Sequence, residues 1–109
     1  MDEVIIVITS LPDRAAAVKI ARALVERRLA ACVNVLAECV SIYRWKGGIE
    51  NAGEVPVLIK TRVGRYAEVE AAIRELHPYE LPEIVSVPVQ GGSEAYLRWV
   101  ADETTIAIG

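Results

Sequence analysis

Seven residues, His77-Pro78-Tyr79-Glu80-Leu81-Pro82-Glu83, hold the only histidine of the chain, two of its five prolines, two carboxylates and a tyrosine. An imidazole with carboxylates three and six positions on is a candidate metal-ligand set or proton-transfer group. A second reading is equally concrete: a histidine closing a helix, favoured by the helix dipole and capping a carbonyl. His77, Glu80 and Glu83 fall short of the four ligands of a closed site. A symmetric oligomer could complete the set, because groups near a rotation axis or subunit boundary repeat or combine.

Other candidates lie upstream. Lys60, near the end of an apolar strand, either emerges into solvent, pairs with Glu80 or Glu83, or binds an anion in a cleft. Tyr43 and Trp45 read as cross-strand packing, interface anchors or walls of that cleft. Glu54 is a loop charge or the partner of Lys60. Cys32 and Cys39 lack CxxC spacing and read as two small buried hydrophobes. Their odd separation puts them on opposite faces of a regular strand, unless a bulge at Ala37-Glu38 reverses this. No GxSxG, phosphate-binding glycine loop or nucleophile–base pair occurs, and Glu80 with Glu83 as an acid/base pair lacks a recognisable substrate pocket. An enzyme is not expected.

The elements that must position these residues follow from periodicity. Val4-Ile5-Ile6-Val7-Ile8-Thr9 is a β-branched run, expected as a strand buried on both faces and central in its sheet. Asp13 is a helix N-cap, and Ala17, Ile20, Ala21, Leu24 and Val25 carry helical spacing towards Leu29. Ala31 to Leu36 and Cys39 to Trp45 read as strands, and Lys46-Gly47-Gly48 as a turn. Ile49 to Glu54 is polar and loop-like, with its first residues able to pair across the turn. Pro56 opens the strand Val57–Thr61. Tyr66, Val69, Ile73 and Leu76 define an amphipathic helix that Pro78 stops. Ile84 to Val89 is a further strand. Ser93 caps a last helix carrying Tyr96, Trp99 and Val100, and Thr104 to Gly109 is a short apolar tail that docks or frays.

The order β-α-β, β-α-β, helix with right-handed crossovers predicts an α+β fold, the ferredoxin-like split βαβ sandwich. Its sheet is antiparallel, with the first strand and Val57–Thr61 at its centre and two helices on one face. A single domain over residues 1–109 is expected. Residues of the AVILMFWYC set make up 53% of the 109-residue chain, more than so small a domain can bury. The excess points to an interface between subunits. The net charge of −3 comes from mixed charges without a basic stripe, which argues against nucleic-acid partners. The apolar run Val4–Ile8 is far short of the ~20 residues of a membrane span. No signal-peptide pattern is present, and the cysteines are too few for a disulfide scaffold, so the expected compartment is the cytosol.

Taken together, Leu29-Ala30-Ala31-Cys32-Val33-Asn34, Ser41-Ile42-Tyr43-Arg44-Trp45-Lys46-Gly47, Glu54, Ile59-Lys60-Thr61, His77-Pro78-Tyr79-Glu80, Pro82-Glu83-Ile84 and Tyr96-Leu97-Arg98-Trp99 span almost the whole chain. In order and spacing the sequence resembles the CutA1 divalent-cation-tolerance family. The resemblance implies a homotrimer similar in architecture to the PII signalling proteins. It also implies binding of divalent cations, copper above all with zinc as a second candidate, and a non-enzymatic role in cation tolerance. It sets Tyr43, Trp45, Lys60, His77, Tyr79, Glu80 and Glu83 around a cleft between subunits. Copper-binding members are linked to a cysteine ending the first strand and a histidine pair before the proline; here Thr9-Ser10 and Leu76-His77 stand there. Two other functions fit such a trimer: a PII-like sensor of a small anion through Lys60, and a structural scaffold.

Overall fold

The computed structural model describes residues 3–105. Strand β1 (Val4–Leu11) leads through helix α1 (Arg14–Glu26) to β2 (Cys32–Val35), β3 (Cys39–Trp45) and β4 (Gly48–Arg62). A 3-10 turn, Val63–Arg65, then enters helix α2 (Tyr66–Leu76), followed by β5 (Val85–Pro88) and α3 (Glu94–Glu103). The sheet order is β2-β4-β1-β5, with β3 paired to the first half of β4, and every pairing is antiparallel. The two crossovers, through α1 and α2, each skip one central strand, which is the ferredoxin-like split βαβ arrangement. β1 and the second half of β4 are central, as their β-branched runs predict.

Strand alternation divides the sheet. Ile5, Val7, Leu11, Val55, Val57 and Ile59 point to one face and form the core with Ala17, Ile20 and Leu24 of α1 and Val69, Ala72 and Ile73 of α2. The opposite face carries Lys60 and Arg62, and α3 packs there. Lys60 Nζ lies 5.8 Å from the Tyr96 ring centroid, and Arg62 Nε donates to Thr104 Oγ1 at 3.0 Å.

Three expectations change. Helix α1 stops at Glu26 rather than Leu29, because Arg28 adopts φ 58°. The Arg28 N–H then reaches Val25 O and the Leu29 N–H reaches Leu24 O, the paired closure of a Schellman motif. Ile49–Glu54 is not a loop: it is the first half of a 15-residue β4, in register with β3 from Cys39↔Glu54 to Trp45↔Gly48. The two-residue connection Lys46-Gly47, with φ of 49° and 82°, is the type I′ geometry that matches hairpin twist. The cysteines are not buried, Cys32 being half-buried and Cys39 exposed. Between the pairs Val35↔Val57 and Cys39↔Glu54 the β2–β3 side carries one residue more than β4. That bulge puts Cys32 and Cys39 on one face, opposite Lys60 and Glu54. In the apolar tail, Thr104 is buried and its hydroxyl donates to Val100 O at 2.8 Å. Residues 106–109 of that tail lie outside the described residues.

Candidate functional site

Helix α2 delivers His77 to the base of the site. The residue before a proline avoids the helical region; His77 sits at φ −80°, ψ 134°, while its N–H still closes the helix onto Ile73 O at 2.8 Å. Its ring turns inward and is 7% exposed. Nε2 lies 2.7 Å from Ser10 O on β1, and Nδ1 accepts the Tyr79 N–H at 3.1 Å. An acceptor Nδ1 and a carbonyl opposite Nε2 define the neutral tautomer protonated on Nε2. Both nitrogens are thus engaged within the chain. In this conformation no imidazole lone pair faces outward, and His77 pins the start of the loop to the end of β1.

The loop then lies across from the β3–β4 hairpin, and the two border a half-open cavity of about 800 Å³. Ser41, Ile42, Tyr43, Trp45 and Glu54 of the hairpin form one wall; Pro78, Tyr79, Glu80, Leu81, Pro82 and Glu83 form the other, with Ser10 between them. Three carboxylates line this space and no lysine or arginine does. Tyr79 stacks at a tilt on His77, centroids 4.7 Å apart. Burial, a hydrogen bond to the Glu54 carboxylate and the nearby charges of Glu54, Tyr43 and Asp13 push the Tyr79 phenol up to about 12. The neutral phenol thus stands beside the Glu54 carboxylate, where the loop meets the hairpin.

Tyr43, Trp45, Tyr79, Glu80 and Glu83 therefore converge on one cavity, and His77 stands behind it. Lys60 does not line it: it shares a face of β4 with Glu54 but stands six residues farther along, where α3 packs and its ammonium lies near Tyr96. Glu54 meets Tyr79, not Lys60. Sequence reading left Glu54 open between a loop charge and a lysine partner, because only the hairpin register reveals its face. Among the described residues no group of three or more His, Cys, Asp or Glu side chains stands close enough to hold a metal ion. Cys39 Sγ lies 3.8 Å from Ser41 Oγ, at the rim of the cavity.

The family description "CutA1 divalent ion tolerance protein" matches residues 5–103. The chain belongs to the CutA1 divalent ion tolerance family. It is 40% identical to the divalent-cation tolerance protein CutA of Thermus thermophilus over 104 residues, covering 95% of this chain and 99% of that protein. It is 47% identical to the CutA homolog of Xenopus laevis over 91 residues, 84% of this chain and 60% of that protein. The chain thus spans 60% of the frog protein and 52% of mouse and human CutA. The crystal structure of CutA from Xylella fastidiosa superposes with a TM-score of 0.92 at 41% identity, covering 94% of this chain and 99% of that one. CutA1 from Oryza sativa gives 0.93 at 29% identity, covering 97% of each. None of these CutA relatives carries an enzymatic name. Two are named by compartment, chloroplastic in Arabidopsis thaliana and periplasmic in Archaeoglobus fulgidus. No described helix of this chain is long and apolar enough to cross a membrane.

Proposed function

We propose that this CutA1 chain works as a homotrimer that binds divalent cations in cation tolerance, without catalytic turnover. The observation that carries the reading is the lining of the cavity: Glu54, Glu80 and Glu83 with no basic side chain. A space of that charge attracts cations and repels anions. Glu80 and Glu83 are the proposed ligands. A single chain supplies too few donors for a closed site, so a neighbouring subunit or water completes the shell. His77 is proposed to act indirectly, by holding the loop that presents both carboxylates.

The donor set bears on the choice of ion. Carboxylate oxygen suits hard and borderline divalent ions, whereas the soft chemistry of copper(I) calls for thiolate. Cys39, exposed at the rim, is the one soft donor near the cavity among the described residues. The copper preference implied by the family resemblance draws little support from this lining, and zinc fits it better. Trimer formation is supported by the apolar side chains that the hairpin leaves in water: Val40, Ile42 and Ile49 are 72%, 73% and 69% exposed. A PII-like sensor of a small anion is disfavoured, because Lys60 stands away from the cavity.

Native mass spectrometry of metal-free protein titrated with zinc and with copper tests the proposal. The expected result is a trimeric mass that takes up ions, with uptake reduced at least tenfold in Glu80→Gln/Glu83→Gln. A monomeric mass overturns the assembly, and unchanged uptake in the double variant overturns the ligand assignment. A trimer that binds no ion at all leaves the scaffolding role in its place.

A further inference from the structure

We propose that the cavity between the β3–β4 hairpin and the Pro78–Glu83 loop also receives an organic ammonium. The charged head would meet Glu54, Glu80 or Glu83, and the apolar body would lie against Tyr43 and Trp45. The inference rests on the reading of this cavity as the cation site and extends it from a metal ion to a carbon-bearing cation.

Size is the first argument. The cavity, about 800 Å³, lies in the range of small-molecule sites, which are mostly apolar with a few placed polar groups. The second argument is the spread of the charges. Three carboxylates line the cavity, yet among the described residues no three acidic, histidine or cysteine side chains stand close enough to hold a metal ion. Separated carboxylates around an open middle suit a ligand with length. The third is the aromatic wall. Tyr43 and Trp45 project from one face of β3 at a spacing of two and remain 44% and 37% exposed. Exposed aromatic faces beside carboxylates are the surroundings in which an ammonium is held by both charge and ring quadrupole. The Trp45 ring already takes such a contact, with Lys46 Nζ 5.7 Å from its centroid.

The walls are also braced. Tyr79 reaches from the loop to Glu54 on the hairpin, and His77 anchors the same loop to β1. A site held open before binding avoids the ordering cost of forming around its ligand. Charge complementarity excludes phosphates and carboxylates from the cavity.

The test is calorimetric titration of the full chain with benzylamine, alongside benzyl alcohol as the neutral isostere and benzoate as the anion. Benzylamine is expected to saturate one site per chain, benzyl alcohol to bind at least tenfold more weakly, and benzoate not to bind. Glu83→Gln and Trp45→Ala should each weaken benzylamine at least tenfold, whereas Lys60→Ala should leave it unchanged. Circular dichroism and native mass confirm that each variant keeps its fold and assembly. Equal binding of the amine and the alcohol overturns the proposal. So does a Trp45→Ala protein of altered assembly mass whose parent binds no benzylamine, because the cavity is then filled by a second copy. Zinc titrated in parallel separates the two readings. Zinc binding without benzylamine binding sinks the ammonium site alone, benzylamine without zinc sinks the metal site alone, and neither sinks both.

Discussion

The two halves of β4 run in one strand and live in different surroundings. From Val55 to Thr61 every second residue is buried at 2% exposure or less, under α1 and α2. From Gly48 to Glu54 almost every residue faces water on both sides, and so does its partner β3. The first region obeys period-two alternation because one of its faces has a core to meet. The second keeps strand geometry through its ladder and its I′ turn, with no helix beneath it. An isolated two-stranded hairpin is marginal in water. With apolar Val40, Ile42 and Ile49 exposed on it, the hairpin adds little to the core, and its exposed face is the surface the proposed trimer would cover.

The strongest way to break this contrast is a cavity in the core. Ile59, fully buried between β1 and the helices, should cost about 2–5 kcal/mol when changed to Ala, read as a lowered urea midpoint. A loss well under 1 kcal/mol would mean that core and hairpin are not energetically distinct. His77→Ala probes the join between the two regions. It removes both ring contacts at once and leaves the Ser10 carbonyl and the Tyr79 N–H without their partners. The expected cost is about 1–3 kcal/mol, with accelerated proteolysis of the Pro78–Glu83 loop. Stability lost without loop opening would make His77 a core residue only.

Tyr79 sharpens the comparison through pH. Its folded phenol titrates at about 12 against an ordinary value of 10.0, chiefly from burial and then from the Glu54 hydrogen bond. Between those values the unfolded chain has released this proton and the folded chain has kept it. The linkage slope is therefore negative, and stability falls as pH rises from about 10 to about 12. Below pH 10 the contribution is complete. Glu54→Gln removes the carboxylate, so the phenolate absorbance midpoint of Tyr79 should move down towards the ordinary value. An unmoved midpoint would leave burial as the whole cause and would cut the link between loop and hairpin.

How much of this was legible in the sequence depended on whether a residue's role was local. β1 could be read as central because a run of β-branched residues has few other uses. The end of α2 could be read from Pro78, and the histidine's place at a helix terminus from the same signal. The closing of both imidazole nitrogens could not, since Ser10 is 67 positions away in the chain. The first half of β4 was obscured because a strand exposed on both faces shows no alternation. Lys60 does not line the cavity of the single chain, for a related reason. It shares a face of β4 with Glu54 but stands six residues farther along, where α3 lies over it, and local sequence does not reveal that cover. The cysteines turned on a single extra residue in the β2–β3 bulge. That one insertion changes the parity of everything after it.

The smallest expected effect is the most discriminating. Ile42→Ser replaces a side chain that is 73% exposed on the hairpin. Within one chain such a surface change should alter stability by no more than about 0.5 kcal/mol. If the hairpin is covered by another copy, the same substitution acts on assembly, and its effect grows with protein concentration. Thermal midpoints measured across a hundred-fold dilution should then diverge between parent and variant at the concentrated end and converge at the dilute end. Parallel curves would mean that Ile42 faces water in the working protein. In that case the apolar excess of the chain would have to be covered through another face, and the contrast within β4 would describe shape without function.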